Sequence, residues 1–197
     1  MAERLGLGVI PGAGWRASDV RAIACEAEAA GFDAIFAAEV NNDVMATAQL
    51  MGAATQRINI GTWVANIYVR HSYLCAQGAA LIGDATDGRF VLGLGVSHGP
   101  VNSALGIDMG EPPEALRRYV IAVRNWLKGE GPATHLPQQP SPKPVPIYVA
   151  AVTVTHRGVR QRARRRNHAL SLVGCESEAS QSVDRSRARQ GIGSREA

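Results

Sequence analysis

The chain alternates short apolar runs with longer amphipathic segments, and this order constrains its fold more than any other feature. Five apolar runs predict strands. They are Arg4–Ile10, Asp33–Ala38, Arg57–Ala65, Arg89–Val96 and Val145–Ala151. The runs are almost continuously apolar, as in parallel strands that are buried on both faces. The pattern therefore predicts a parallel α/β sheet, either an open doubly wound sheet or part of a (β/α)8 barrel.

Four helices are predicted between these strands, each with recognisable start or stop residues. They begin near Ser18, Asp43, Ser72 and Pro112, which are residues suited to a helix N-terminus, and the third runs to about Ala85. A complete barrel of this kind has about 250 residues, whereas this chain has 197. We therefore expect a partial barrel with about five parallel strands and four helices.

Charge divides the chain into two regions. Residues 1–151 hold 11 Lys and Arg against 13 Asp and Glu, a net charge of −2, and residues 152–197 hold 10 against 4, a net charge of +6. All ten aromatic residues lie in the first region. We predict a barrel portion at 1–151 and an irregular, Arg- and Ser-rich basic tail at 152–197.

Several classes of protein are not supported by the sequence. The first residues do not resemble a signal peptide, and the longest uncharged run, Phe90–Ile107, contains too many Gly and polar residues for a membrane span. Three isolated cysteines indicate thiols in a reducing cytoplasm rather than a disulfide framework. P-loop, zinc-protease and hydrolase motifs are not found, and the histidines lack metal-ligand spacing, so no metal site is predicted.

Ligands of parallel α/β proteins bind at the carboxyl ends of the strands, so the residues there are the candidates for function. The fourth predicted strand leaves as Gly93-Leu-Gly-Val-Ser-His-Gly99. A dinucleotide fingerprint would follow the first strand and open directly into a helix, and this segment does neither. Either the glycines let a flat ligand approach while Ser97 and His98 contact it, or they only relieve crowding inside a barrel.

Polar residues also follow the second and third predicted strands. Glu39 is read as a base, or as a simple hydrogen-bond acceptor or helix cap. Arg70 would meet an anionic group and His71 would act as a donor or acid, unless both are only solvated residues at a helix start.

Four stretches of the chain resemble the luciferase-like monooxygenase family, and in particular its coenzyme F420-dependent oxidoreductases. They are Gly31–Phe36, Ala54–Thr62, Ala65–His71 and Asp87–His98, with the last being the most specific. The similarity runs from about Leu5 to Ala151. It implies a TIM barrel that binds F420, or alternatively FMN, across its C-terminal face. The implied reactions are hydride transfer with F420 or monooxygenation with FMN, on a small-molecule substrate.

The resemblance also implies the positions of the site residues. A bulge at Trp63 and Val64, often with a non-prolyl cis peptide, would support the ring. Many family members have a histidine after the acid of the second strand, where this chain has Val40. The implied catalytic residues are Glu39 and His98. The implied cofactor-binding residues are Trp63, Val64, Ala65, Asn66, Gly95, Ser97 and His98.

The tail permits two interpretations. Its Arg, Ala, Gly and Ser are residues that a GC-rich gene yields when read out of frame, so we predict a frameshift or truncation near residues 152–157. With strands absent we expect weak or no cofactor binding by this chain alone, and an exposed fifth strand. A homodimer could cover that strand, although the basic tail disfavours it. The alternative is a nucleic-acid or partner-binding arm acting through Arg157–Arg166, which we favour less.

Overall fold

The structure, a computed structural model, describes residues 5–12, 14–132, 139–151 and 171–174. Parallel strands lie side by side in the order β1-β2-β3-β5-β6, and an antiparallel strand β7 follows at one edge. The strands are β1 (Gly6–Val9), β2 (Ala34–Ala37), β3 (Asn59–Thr62), β4 (Ala65–Asn66), β5 (Phe90–Gly95), β6 (Ile147–Ala151) and β7 (Ser171–Gly174). The short β4 continues the direction of β3 and also pairs with β5. Neighbouring parallel strands follow one another along the chain, as they do in a barrel wall.

Helices connect the parallel strands. They are α1 (Ala17–Ala29), α2 (Val44–Ala54), α3 (Ser72–Ala85), α4 (Gly99–Ala104) and α5 (Pro112–Leu127). Asp43 caps α2, because its carboxylate accepts from the backbone N–H groups of Met45 and Ala46. Two prolines open α5, where the missing N–H groups would have no partner in the helix.

The core lies between the helices and one face of the sheet. Ile35, Ile60, Phe90 and Leu92 are fully buried there. The helices contribute Ala, Met, Val and Cys side chains, and α3 packs on α5 through Tyr73 and Trp126, whose rings meet edge to face with centroids 4.9 Å apart. Consecutive residues of β3 and β5 are also buried on the opposite face of the sheet, which explains why the predicted strands lack polar alternation.

The predicted α/β architecture is confirmed. The five predicted parallel strands and four predicted helices are present, and α3 has the predicted bounds, Ser72 to Ala85. Two details differ. The third predicted strand is interrupted at Trp63 and Val64, and α4 forms where the sequence predicts an irregular connection.

The fifth parallel strand is not left as a free edge. Residues 171–174, which fall within the expected irregular tail, form β7 and pair antiparallel with β6 from Tyr148 to Ala151. This corrects the expectation at these four residues and at the β6 edge, because the backbone groups of β6 find partners within the same chain. The predicted frame change at 152–157 and the basic segment 157–166 lie outside the described residues.

Candidate functional site

A bulge between β3 and β4 shapes the carboxyl edge of the sheet. The peptide bond between Trp63 and Val64 is cis, at the position that the family resemblance implies. Thr62 anchors the bulge to β5, because its hydroxyl donates to the carbonyl oxygen of Gly93 at 2.7 Å and accepts from the N–H of Gly93 at 2.9 Å. Trp63 and Val64 remain half-buried, whereas Ala65 and Asn66 are buried.

The glycines of β5 make room for this bulge. A Cβ atom at Gly95 would lie 2.5 Å from Cγ2 of Val64, and one at Gly93 would clash with the carbonyl oxygen of Thr62. In β1, a Cβ atom at Gly8 would lie 2.7 Å from the Trp63 ring. Of the two interpretations of the glycine motif, relief of crowding therefore accounts for Gly93 and Gly95.

Glu39, which follows β2, uses both carboxylate oxygens to hold neighbouring groups. Oε2 accepts from the backbone N–H of Asn66 at 2.6 Å, and Oε1 accepts from Arg70 at 3.1 Å. Asp43 accepts from the same guanidinium at 2.6 Å. The Arg70 and Glu39 side chains are only 14% and 11% exposed, so this pair is shielded from solvent. The anionic group predicted to meet Arg70 is thus supplied by the protein itself.

The electrostatics of Arg70 follow from this setting. Burial alone would lower the pKa of Arg70, but attraction by Glu39 and Asp43 outweighs it and raises the pKa above the usual value. The backbone carbonyl of Arg70 accepts from the hydroxyl of Tyr119 on α5 at 2.8 Å. Burial raises the pKa of Tyr119 and that of the neighbouring Cys75 thiol, so both stay protonated and neutral. Arg70 is therefore a permanently charged structural residue.

Asn66 is joined to a residue that the sequence does not single out, Asn102 on α4. Asn66 Nδ2 donates to Asn102 Oδ1 at 2.8 Å, and Asn102 Nδ2 donates to the carbonyl oxygen of Val96 at 2.8 Å. Asn102 is fully buried. Its only signal in the sequence is an isolated amide shortly after the predicted fourth strand, which does not distinguish it from a surface residue.

Ser97 and His98 stand at the end of β5 with accessible surface. Ser97 is half-buried and has a backbone φ of 57°, in the left-handed region. His98 is exposed, and its side chain does not cap α4. Ser97 and His98 thus follow Gly95, whose neighbour across the sheet is Val64, by two and three positions, and both keep exposed surface.

His71 has a structural role in this arrangement. Its Nδ1 accepts from the backbone N–H of Tyr73 at 3.2 Å, so it caps α3. This agrees with the interpretation of His71 as a helix-start residue.

Apolar and polar side chains both keep exposed surface at this edge. Trp63 and Val64 supply partly exposed apolar side chains, and Ser97 and His98 supply polar ones, which is the combination that a flat heterocyclic ring requires. Ala65, Asn66 and Gly95 are buried. Arg70 is held by two carboxylates, so it does not serve as a partner for a cofactor phosphate.

The described ranges hold no candidate metal site. No group of three or more His, Cys, Asp or Glu side chains within them is arranged to bind a metal ion. None of the helices in that same part of the chain has the length and apolar character of a membrane span.

Parallel strands joined by helices, with polar and half-buried residues gathered at the carboxyl ends, define a protein of the (β/α) barrel class. A family model described as luciferase-like monooxygenase matches residues 4–193. The chain therefore belongs to the luciferase-like monooxygenase family. The match extends past Ala151, where the sequence resemblance is expected to stop.

Individual relatives agree with this assignment. A protein of Mycobacterium tuberculosis, provisionally named as a coenzyme F420-dependent oxidoreductase, is 37% identical over 111 residues, which are 55% of this chain and 32% of the relative. The F420-dependent tetrahydromethanopterin reductase of Methanopyrus kandleri superposes with a TM-score of 0.64 and 19% identity over 76% of this chain and 51% of that one. The oxygenating component of 3,6-diketocamphane monooxygenase of Pseudomonas putida, solved with FMN, gives a TM-score of 0.57 and 13% identity over 92% and 47%.

The chain matches only part of each of these proteins. Each match covers about half or less of the other protein's length. The two structural likenesses establish the fold of this chain. None of the three proteins is named as a nucleic-acid-binding protein, and nothing in the described residues supports that alternative.

Proposed function

We propose that the carboxyl edge of the sheet forms the ring-binding part of an oxidoreductase site for coenzyme F420, with FMN as the alternative cofactor. The observation that carries this proposal is that the Trp63–Val64 bulge and the residues that leave β5, Ser97 and His98, all keep exposed surface at the carboxyl edge of the sheet. The relative at 37% identity, provisionally named as F420-dependent, favours F420 over FMN. The chemistry that such a ring supplies is hydride transfer to or from a small substrate, or oxygen activation where the ring is reduced FMN.

The residues at this edge would have separate tasks. Trp63 and Val64 support the ring face, and the Ser97 hydroxyl hydrogen-bonds to the polar ring edge. His98, exposed and not used as a cap, holds or delivers a proton through a ring nitrogen. The sequence predicts a catalytic role for Glu39, but its two oxygens already hold Asn66 and Arg70, so we give it the task of positioning the bulge.

A fluorescence titration of the purified chain with F420 and with FMN tests the proposal. We expect saturable but weak binding, with F420 preferred, and about a fivefold weaker F420 affinity in Ser97→Ala, since a lost hydrogen bond costs about 1 kcal/mol. Ser103→Ala, on the exposed face of α4, is the control and should bind as the parent does. Absence of a saturable signal with either cofactor would overturn the proposal.

We infer that two copies of the chain associate through the outer faces of α2 and α3. Helix α2 contains no charged residue and α3 contains only Asp84, whereas α5 carries Glu114 and several arginines. Leu74 and Leu81 lie seven residues apart on one face of α3 and are 62% and 60% exposed. Asp84 is the one charge on these two helices, so a second copy would meet this largely apolar face with little like-charge repulsion, which favours a homodimer.

Light scattering after gel filtration tests this association. Leu81→Glu should shift the chain towards the monomer, because a buried unpaired carboxylate is costly. Ile121→Glu, at a 43% exposed position on α5, is the matched control and should leave the mass unchanged. A parent chain that is monomeric at all concentrations would refute the dimer.

We also propose a cytoplasmic location. Its support is that Cys25 and Cys75 are both free thiols, one exposed and one buried. A fractionation experiment with a tagged chain tests it, and recovery in a membrane or extracellular fraction would contradict it.

A further inference from the structure

Asn102 is a buried polar residue whose hydrogen bonds connect two segments of the site. The side chain has no solvent exposure, yet every polar atom of its amide is engaged in the bonds to Asn66 and Val96. Its backbone N–H donates to the carbonyl oxygen of His98 at 3.1 Å, and its own carbonyl oxygen accepts from the N–H of Ile107 at 2.9 Å. A buried amide loses its hydration on folding, so an arrangement that leaves its partners unmade is strongly disfavoured.

The chemistry of the end groups fixes the orientation of both amides. The carbonyl oxygen of Val96 only accepts, so Asn102 must present Nδ2 to it and Oδ1 to Asn66. Asn66 must then donate through Nδ2, which leaves its Oδ1 to accept from the backbone N–H of Tyr68 at 3.1 Å. The two amides can satisfy their neighbours in this one arrangement only.

The hydrogen bonds form a continuous path across the carboxyl ends of three strands. They join Glu39 after β2 to Asn66 at the end of β4, Asn66 to Asn102, and Asn102 to Val96 at the end of β5. Val96 directly precedes Ser97, whose left-handed backbone turns the chain towards His98. Holding the Val96 carbonyl therefore sets the direction in which Ser97 and His98 leave the strand.

We propose that Asn102 is a positioning residue that sets Ser97 and His98 relative to the Trp63–Asn66 segment. Being fully buried, it acts through Asn66 and Val96 and does not contact ring or substrate itself. The effect of Asn102 on cofactor binding rests on the proposed function. Its effect on the structure of the cofactor-free protein is independent of that function.

Amide hydrogen exchange on the cofactor-free chain tests the structural part. In Asn102→Leu, the Asn66 amide loses its partner, and exchange of the Tyr68 N–H should accelerate about tenfold, as expected for a weakened hydrogen bond. The N–H groups of Arg57 and Ile58, which Glu28 binds at the opposite end of the sheet, should change much less. Equal acceleration at both ends, or none at Tyr68, would overturn the proposal.

A second variant covers the case in which Asn102→Leu fails to fold. Asn102→Asp keeps the acceptor for Asn66 but, as a carboxylate, loses the donor to Val96. It should accelerate exchange of the N–H of residue 102, which donates to the carbonyl oxygen of His98 two residues after Val96, while Tyr68 is affected less. Ser103→Leu, on the same helix and exposed, is the matched control and should leave all of these rates unchanged.

A double-mutant cycle on F420 affinity tests the functional part. If Asn102 acts through Ser97, the losses caused by Asn102→Leu and Ser97→Ala should be clearly less than additive. Additive losses would mean that Asn102 affects only overall stability and would overturn the positioning role. If the parent chain binds neither F420 nor FMN, the proposed function fails, and the exchange experiment still decides whether Asn102 positions this segment.

Discussion

The two ends of the parallel sheet are held by different chemistry. At the amino ends of the strands, Glu28 accepts from three backbone N–H groups and Arg89 donates to four acceptors around Gly52, Thr55 and Ile58. At the carboxyl ends, two neutral amides and the Glu39–Arg70 ion pair join the segments, and the side chains of Ser97 and His98 remain accessible. Charged groups hold the fold at both ends, and the carboxyl end also leaves polar side chains accessible to a ligand.

From this comparison of the two ends, we expect the largest loss of stability from substitution of Arg89. Arg89→Met would remove the guanidinium donors to the carbonyl oxygens of Gly52, Thr55 and Ile58, and unmade buried hydrogen bonds are costly. We expect a loss of about 3 kcal/mol in the free energy of unfolding, measured by urea denaturation. The control Arg118→Met, with a side chain that is 71% exposed, should change it by less than about 0.5 kcal/mol. Similar losses for both variants would show that the hydrogen bonds of Arg89 at the amino ends of the strands contribute no more to stability than an exposed arginine does.

The next largest effect on stability is expected at Gly95, which lies against Val64 of the bulge. Gly95→Ala would bring a methyl group to within 2.5 Å of Val64, and we expect a loss of about 2 kcal/mol from overpacking. Denaturation measures the loss, and Val64→Ala in the same chain should restore part of it. If the double variant is no more stable than Gly95→Ala, the glycine is not there to accommodate Val64.

At Glu28 we expect a smaller effect on the free energy of unfolding, and this effect depends on pH. Hydrogen bonds from the N–H groups of Ile58 and Arg57 hold the pKa of Glu28 below its ordinary value of 4.5. The resulting stability is complete above the unfolded pKa and is lost as the pH falls through the lower folded pKa.

Glu28→Gln should cost about 1 kcal/mol at pH 7 and should flatten the decline of stability below pH 4.5. Denaturation curves over this pH range measure both. Glu26→Gln on the same helix, at an exposed position, is the control. An unchanged pH profile in Glu28→Gln would show that the lowered pKa does not contribute.

The smallest effect on stability is expected at the carboxyl end, where function is proposed. His98→Ala should change the free energy of unfolding by less than about 0.5 kcal/mol, because the side chain is exposed and caps nothing. Thermal unfolding measures this. A loss above about 1 kcal/mol would show that His98 serves the fold, contrary to the division of roles between the two ends.

The sequence predicts what local patterns encode. The bounds of α3 follow from Ser72 and from the apolar face of the helix, and the parallel sheet follows from the continuous apolar strands. The position of the cis peptide at Trp63 and Val64 comes from the family resemblance, since no local pattern specifies it.

The remaining features depend on partners distant in the chain. Asn102 meets Asn66 across 36 positions, and Arg89 meets Gly52 across 37, so neither pairing leaves a periodic signal. Helix α4 has only six residues, too few to show an amphipathic period. The sequence suggests a base at Glu39 because a lone carboxylate does not reveal that an arginine 31 positions later will pair with it.

The absence of charge along α2 has a consequence for how the protein behaves in different buffers. The strength of contacts between uncharged apolar faces depends on the hydrophobic effect and not on the screening of charges by salt. Sulfate should therefore tighten the proposed self-association, sodium chloride at moderate concentration should leave it nearly unchanged, and cooling should loosen it. A purification that depends on salting-out would select the assembled form, and storage near freezing would favour the separate chains.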